Sequence, residues 1–543
     1  MPGALTPLSL STFSTAIEYS LQVLLYHVGA RRRPNHLSKC LPSICNHLFI
    51  ALIDVGSIVN HAMMARKDIM EISLLGSFLP EMTTQQMENY AGKSVGFQRF
   101  LNFISMMKMW SKASSMCSYW ERKIPNYHIG PEATTAAELY HCLDKQLVDY
   151  ETVWVWTLIN SGRSGNMATV LMSIIGGDAS GWTTQHYGDM ALLLSQCSDV
   201  YSAEVPHAIE NIACAIAQAG PKQVENFLAT PDKECLGFLS SHPGILKMVE
   251  DFLDRHGHRC LRESEMREKS WRSAPEKFIS VLKLMLKTKA YEKTERVQLS
   301  IPELLNKMTT KLPFYKKQIL KVLLPKAWQA VAAREWGKSL SIQMNEVFKL
   351  TYQRLSMLLH KEGRLPDADL MYFLTHQEIG TLLKTRSARL VIKAQKRRKV
   401  LVKQTALKFE QMNKSRPVPV DVSCGTPQLS DVECLAGMPV SQGQITGPAQ
   451  VVHSLEEASV IKPGDILVVK STDVGWSPYF PLIGGLVTEL GGLISHGAVV
   501  AREYGIPCVV NVNKATSVIQ SGEMLQLDGR AGVVKRLTCK SDS

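Results

Sequence analysis

Residues 484–510 read GGLVTELGGLISHGAVVAREYGIPCVV, and this stretch carries one histidine, His496. The run Leu-Val-Thr at 486–488 predicts a short buried strand. The glycine pair at 491–492 permits a tight reversal that residues with a Cβ would resist. Residues 508–510 predict a second strand. The histidine is therefore expected at the junction between a glycine turn and a helix.

That helix should begin near Ser495, which is a good N-cap residue. Residues 498–503 are compatible with a helix, and Gly505 followed by Pro507 predicts its end. His496 would then lie beside the unpaired N–H groups of a helix N-terminus, where the helix dipole favours a bound anion. A phosphoryl group on the imidazole would suit this position.

Histidine is a possible covalent nucleophile, because its ordinary pKa of about 6.5 leaves a neutral ring nitrogen at pH 7. Arg502 lies six residues further along, near the far end of the same short helix. The competing interpretation is that His496 only helps to cap a helix, as lone histidines commonly do. The residues around His496 favour a phosphate carrier instead.

The pattern GGLxSHGAVVAREYGIPCVV resembles the phosphohistidine signature of a swivelling domain. This domain is shared by phosphoenolpyruvate synthase, pyruvate phosphate dikinase and rifampicin phosphotransferase. The segments GMPVSQGQITGPAQVV and KPGDILVVKSTDVGWSPYF are similar to the same domain, so the resemblance covers about 437–537. It implies that His496 carries the phosphate, that Ser495 is the small hydroxyl residue before it, and that Arg502 steadies the phosphate.

Glycines around the histidine are assigned to phosphate binding on the same basis. They are Gly491, Gly492 and Gly497.

Composition sets wider limits on the chain. Its 543 residues allow two to four domains, and the net charge of +12 fits nucleotides, phosphorylated substrates, nucleic acid or a membrane surface. Twelve cysteines without a CxxC pair predict a reducing compartment and no structural metal. The start of the chain lacks signal-peptide features, and the apolar run 48–59 is interrupted by Asp54. We therefore expect a cytoplasmic protein that spans no membrane.

Most of the chain before the swivelling segment shows helical periodicity. Segments such as FISVLKLMLKTKAYEK and MNEVFKLTYQRLSMLLHK place apolar residues three and four apart. The segment GRSG at 162–165 is not a P-loop and is interpreted as a loop before a helix over 167–174, which Gly176 and Gly177 close. The predicted fold class is α plus β/α: a large irregular helical domain followed by a small swivelling phosphohistidine β/β/α domain. The predicted boundaries are 1–414 for the helical domain, 415–436 for a linker, 437–537 for the swivelling domain and 538–543 for a tail.

The helical region contains one segment rich in reactive side chains, DFLDRHGHRCLRESEMREKSW at 251–271. It resembles part of the middle domain of rifampicin phosphotransferase, which implies that Arg259 and Glu263 lie near the acceptor, in a mostly apolar pocket. The alternative is a solvated, salt-bridged helix start. Zinc binding by His256 and His258 is disfavoured, because residues two apart point away from each other on a helix.

Two other features favour structural roles. The basic run LVIKAQKRRKVLVKQ at 390–404 alternates charged and apolar residues at helical spacing, so a solvated helix face is preferred over nucleic-acid binding. Trp154 and Trp156 are expected in the core, with an aromatic wall for a ligand as the alternative.

Three functions remain open at this point. The first is a dikinase-like phosphotransferase in which His496 passes a phosphoryl group to an unknown small-molecule acceptor. The resemblance implies ATP, Mg²⁺ and, as a partner, an ATP-grasp domain supplied in cis or in trans. The opening MPGALTPLSL is similar to the segment that follows that domain, so neither ATP nor Mg²⁺ is expected to be bound by this chain itself. The alternative is a non-catalytic binding or regulatory module derived from such an enzyme. A nucleic-acid binder ranks last because it rests on charge alone.

Overall fold

The computed structural model describes residues 3–30, 40–61, 67, 71, 82–92, 95–177, 181–197, 201–260, 262–289, 291, 299–410, 412–420, 433–472, 474–493 and 495–537. Over these residues, helices dominate the first four-fifths of the chain, and a mixed sheet with short helices follows. The predicted fold class is therefore confirmed.

The α-helices of the described residues vary widely in length. They are α1 (Pro7–His27), α2 (Leu52–His61), α3 (Thr84–Ala91), α4 (Gly96–Lys123), α5 (Ala136–Gly176), α6 (Thr184–Leu194), α7 (Tyr201–Gln218), α8 (Pro221–Ala229), α9 (Cys235–Leu239), α10 (Pro243–His256), α11 (Pro275–Thr288), α12 (Ile301–Lys307), α13 (Phe314–Lys361), α14 (His376–Thr385), α15 (Ala388–Thr405), α16 (His496–Tyr504) and α17 (Ala515–Val518). Short 3₁₀ helices lie at Ile124–Asn126, Asp232–Glu234, Ala368–Phe373, Leu455–Val460 and Val474–Tyr479. None of these helices combines the length and the apolar composition that crossing a bilayer requires.

Two long helices, α5 and α13, pack together along the middle of the helical region. Thr135 starts α5 with a capping box, in which its side chain and that of Glu138 each accept from the other's backbone N–H. The apolar face of α5 includes Trp154 and meets α1 and α13 in one core cluster. The prediction of a core position for Trp154 is thus confirmed, and Trp156 packs against the same cluster.

The interpretation of 162–165 as a loop is wrong. These residues lie inside α5, which runs unbroken to Gly176. The predicted end is correct, since Gly177 has φ +68°, a conformation that glycine adopts without strain.

The sheet follows the helical region. Its strands are β3 (Cys434–Ala436), β4 (Met438–Ser441), β5 (Gln444–Val452), β6 (Ile466–Val469), β7 (Gly485–Thr488), β8 (Cys508–Val510), β9 (Met524–Asp528) and β10 (Val533–Leu537). A separate pair of two-residue strands, β1 (Ser43–Ile44) and β2 (His47–Leu48), lies near the start of the chain. The spatial order is β3-β10-β9-β5-β6-β7-β8-β4. Strands β5 to β8 are parallel, and the remaining pairs are antiparallel.

Strands are expected from the sequence at 443–452, 465–470, 486–488, 508–510, 524–527 and 533–537, and β5 to β10 lie within one or two residues of these bounds. Strands β3 and β4 are not expected from the sequence. Strand β3 pairs with β10 although residues 434–436 were assigned to the linker. Residues 421–432 of that predicted linker and the tail at 538–543 lie outside the described residues.

The sheet domain is docked on the helical region. Gln442 Nε2 donates to the carbonyl of Gly188 at 2.9 Å, and Tyr504 donates its hydroxyl to Glu210 at 2.9 Å. An apolar cluster runs across the junction and joins Leu193 and other helical residues to residues of the sheet domain such as Leu486. The docked arrangement decides what surrounds His496.

Candidate active site

The helix that carries His496 begins and ends as its sequence predicts. Ser495 is the N-cap residue, with the extended backbone (φ −63°, ψ 157°) that this position requires. Gly505 ends α16 in the left-handed conformation (φ +64°) before Pro507. His496 is therefore the first residue of α16, at the positive end of the helix dipole.

Glycines around the histidine are required by close contacts. A Cβ on Gly497 would lie only 2.3 Å from Thr472 Oγ1. Gly491 has φ +155°, and a Cβ there would lie 3.1 Å from Ser495 Oγ. These contacts account for Gly491 and Gly497 sterically, whereas phosphate binding by them and by Gly492 stays a prediction.

His496 faces the helical domain, and its side chain is buried. Three residues further along α16, Val499 packs against Cys197 and Val331, which fixes the helix on α13. His496 itself is 7% exposed. Burial, together with the positive charge of Lys338, lowers the pKa of His496 to about 3. The imidazole is consequently neutral at pH 7.

Four charged side chains of the helical domain act on His496. Lys338, Arg259 and Arg334 lower its pKa, and Glu335 opposes them. Burial alone would raise the pKa of Glu335, but Arg334 and Lys338 hold it at about 2. Glu335 is thus a buried anion within a group of three cations, and the surroundings of His496 carry an excess of positive charge.

Arg502 lies near the end of α16, and the phosphate-steadying role assigned to it stays a prediction. Its side chain is buried, and Nη1 donates to the carbonyl of Val440 at 3.1 Å. Burial lowers the pKa of Arg502 to about 10. In this docked arrangement Arg502 joins α16 to β4, and the cations beside His496 come from the helical domain.

The segment around Arg259 is not a solvated helix start. Helix α10 ends at His256, and the chain then continues in turns, with the N–H of Trp271 donating to the carbonyl of Arg259 at 2.9 Å. The Arg259 side chain is 2% exposed, and its Nη1 lies 3.0 Å from Glu263 Oε1. Each charge offsets part of the desolvation cost of the other. The structure therefore brings Arg259 into the electrostatic environment of His496, paired with Glu263.

The histidines of this segment do not form a metal site. Burial lowers the pKa of His256 to about 4 and that of His258 well below its usual value, so both rings are neutral. Across the described ranges no group of three or more histidine, cysteine, aspartate or glutamate side chains is placed to hold a metal ion. A groove borders residues 266–277, and both charged and apolar side chains line it. The mostly apolar acceptor pocket stays a prediction.

Sequence reasoning missed Arg334, Glu335 and Lys338. All three lie on α13 in the run AAREWGKSL, in which charged residues interrupt a series of small and apolar ones. Arg334 and Lys338 are four residues apart and share one helix face. Charged residues on a helix face that is otherwise small and apolar could have predicted a buried charged site here.

Two protein-family models match the segments of the chain that carry these residues. The model of the PEP-utilising enzyme mobile domain matches residues 461–532, which include His496. The model of the rifampicin phosphotransferase fourth domain matches residues 158–335, which include Arg259, Glu263 and Arg334.

Relatives with curated names agree with these matches. A rifampicin phosphotransferase of Bacillus cereus is 27% identical over 68% of this chain and 45% of its own length, and one of Streptomyces sviceus is 28% identical over 66% of this chain and 42% of its own length. A phosphoenolpyruvate synthase of Aeropyrum pernix is 42% identical over 18% of this chain and 12% of its own length. This chain thus spans less than half the length of these relatives.

The residues matched by the two models meet at His496, since Arg259 and Arg334 of the first segment act on the histidine of the second. These matches support a rifampicin phosphotransferase/phosphoenolpyruvate synthase-like family for this chain.

Proposed function

We propose that His496 accepts a phosphoryl group and delivers it to a hydroxyl acceptor held by the helical domain. The observation that carries this proposal is the buried, neutral imidazole at a helix N-terminus, surrounded by Lys338, Arg259 and Arg334. A neutral ring nitrogen is nucleophilic, and the cations stabilise the negative charge of a phosphoryl group in transfer.

The reaction has two balanced halves. In the first, a ring nitrogen of His496 attacks the phosphorus of the donor, a P–N bond forms, the bond from phosphorus to the leaving oxygen breaks, and the proton of the other ring nitrogen is released to solvent. In the second, the acceptor oxygen attacks the same phosphorus, the P–N bond breaks, and the hydroxyl proton ends on the released imidazole. The donor proposed is ATP with Mg²⁺, bound by an ATP-grasp domain in cis or in trans, and the acceptor is a small molecule.

Charge couples the reaction to docking. A phosphoryl group carries a charge of roughly −2 at pH 7. The three cations and single anion beside His496 favour that charge over the neutral imidazole that remains after transfer. The phosphorylated domain should therefore dock more strongly than the unphosphorylated one, which suits a carrier that visits two sites.

Labelling with potassium phosphoramidate, a small phosphoryl donor, tests the proposal. The full chain should gain an acid-labile, base-stable phosphoryl group on His496, and His496→Ala should remove it. His453→Ala, at an exposed histidine of the same domain, is the matched control and should label normally. A label that persists in the His496→Ala protein would contradict the proposal, and a chain that never labels would favour a regulatory module.

We also propose that the protein is cytoplasmic. Reduced cysteines fit the cytoplasm, and the described cysteines are all free thiols.

A further inference from the structure

An open groove of about 400 Å³ lies between residues 266–277 and the stretch 346–357 of α13. Its lining on α13 begins at Glu346, eight residues beyond Lys338, which is about 12 Å along the helix axis. Neither His496 nor Arg259 lines it. The groove is therefore separate from the candidate active site.

Two buried charged side chains line the groove. Glu346 is 3% exposed, and its Oε1 accepts a hydrogen bond from Ser270 Oγ at 2.5 Å. Its other carboxyl oxygen, Oε2, has no hydrogen-bond partner among the residues that the structure describes. A buried polar atom without a partner costs free energy, so a ligand that supplies a partner would gain from it.

Lys349 lies one helical turn further along α13 and is equally buried. Its Nζ lies 3.1 Å from Cys260 Sγ, a weak acceptor. Burial raises the pKa of Cys260 to about 11, so the sulfur is a neutral thiol and does not cancel the ammonium charge. Lys349 therefore offers a positive charge to the groove.

Other charges at the rim leave a positive excess. Arg267 is paired with Asp369, at 2.6 Å. Lys277 lies 3.7 Å from Glu268. The exposed Lys269 adds another cation to the lining. Glu346 is the remaining anion of the lining, so four cations face three anions across the groove.

Apolar side chains complete the groove. Leu350 and Met357 are exposed on α13, and Met266 and Tyr372 contribute buried surface. The combination of a cationic end and apolar walls suits a ligand with an anionic group and an apolar body.

We propose that this groove binds a small phosphate monoester that carries an apolar group, at a site separate from that of the phosphoryl acceptor. Lys349 and Lys269 contact the phosphate oxygens. The free oxygen of Glu346 accepts a hydrogen bond from a hydroxyl of the ligand. Leu350 and Met357 pack against the apolar body.

Calorimetric titration of the full chain with phenyl phosphate tests this site. Phenyl phosphate should bind more tightly than inorganic phosphate, and phenol should not bind. Because a charge-assisted hydrogen bond contributes about 1.5–3 kcal/mol, Lys349→Met should weaken binding roughly tenfold or more. Lys269→Met, at an exposed position where folding is not at risk, should weaken it several-fold.

Two control variants locate the binding. Lys321→Met changes an exposed lysine of α13 outside the groove and should leave the affinity unchanged. Lys338→Met should also retain binding, because Lys338 belongs to the surroundings of His496. The proposal would be overturned if the unaltered chain does not bind phenyl phosphate, or if both groove variants bind it as tightly as the unaltered chain. Loss of binding on Lys338→Met would also overturn it. These outcomes do not depend on whether His496 is phosphorylated.

Discussion

At the scale of single residues, the protonation state of His496 depends more on the residues packed around it than on its own helix. The helix N-terminus favours a bound anion, but burial and Lys338 are what keep the imidazole neutral. The sequence identified His496 because a long ordered motif surrounds it. The phosphate-steadying role of Arg502 stays a prediction, and in the docked arrangement its guanidinium hydrogen-bonds to Val440. Which cations meet the histidine is a property of docking, and a motif within one domain does not contain that information.

The contribution of Lys338 is open to a direct measurement. Lys338→Met should raise the pKa of His496, because it removes the charge that lowers that pKa most after burial itself. NMR titration of ¹³C-labelled histidine side chains would follow the change. Lys321→Met, on the exposed face of the same helix, should leave the pKa unchanged. An unaltered His496 titration in the Lys338→Met protein would show that the docked arrangement is absent in solution.

At the scale of elements, the sequence predicted those helices and strands whose bounds are set by residues close in the chain. Helix α16 begins and ends as expected, because an N-cap serine and a left-handed glycine act within one turn. Strands β5 to β10 follow from apolar runs between turn residues. Strand β3 was missed because its partner, β10, lies about 100 residues away.

Helix α5 shows how packing overrides a local signal. Gly162 and Gly165 predicted a break, yet the helix continues through both. Close to this point, Thr157 donates its hydroxyl to the carbonyl of Gly337 at 2.8 Å. The absence of a side chain on Gly337 lets α13 approach α5 closely. The burial gained along this contact outweighs the cost of about 1 kcal/mol for each glycine in a helix, and single-sequence periodicity does not register it.

At the scale of the whole molecule, docking of the sheet domain should depend on pH. His496 has a pKa of about 3 when docked, against an ordinary value of 6.5 when exposed. The undocked form thus binds a proton more readily. The docked state has its full stability above pH 6.5 and loses about 1.4 kcal/mol for each pH unit below it, until the pH approaches 3.

Small-angle X-ray scattering between pH 7.5 and about pH 5 would detect this release. The radius of gyration should increase as the pH falls, because an undocked domain extends the molecule. In the His496→Gln protein, which cannot bind the proton, the increase should be smaller. A radius of gyration with the same pH dependence in both proteins would assign the effect to other groups.

The central claim is that His496 carries a phosphoryl group in the working protein. The most direct measurement is mass-spectrometric mapping of phosphorylation on protein isolated, at neutral to alkaline pH, from the cells that produce it. The account predicts one acid-labile, base-stable phosphoryl group, located on His496. An acid-stable group, a group on another residue, or an unmodified His496 in every preparation would contradict it.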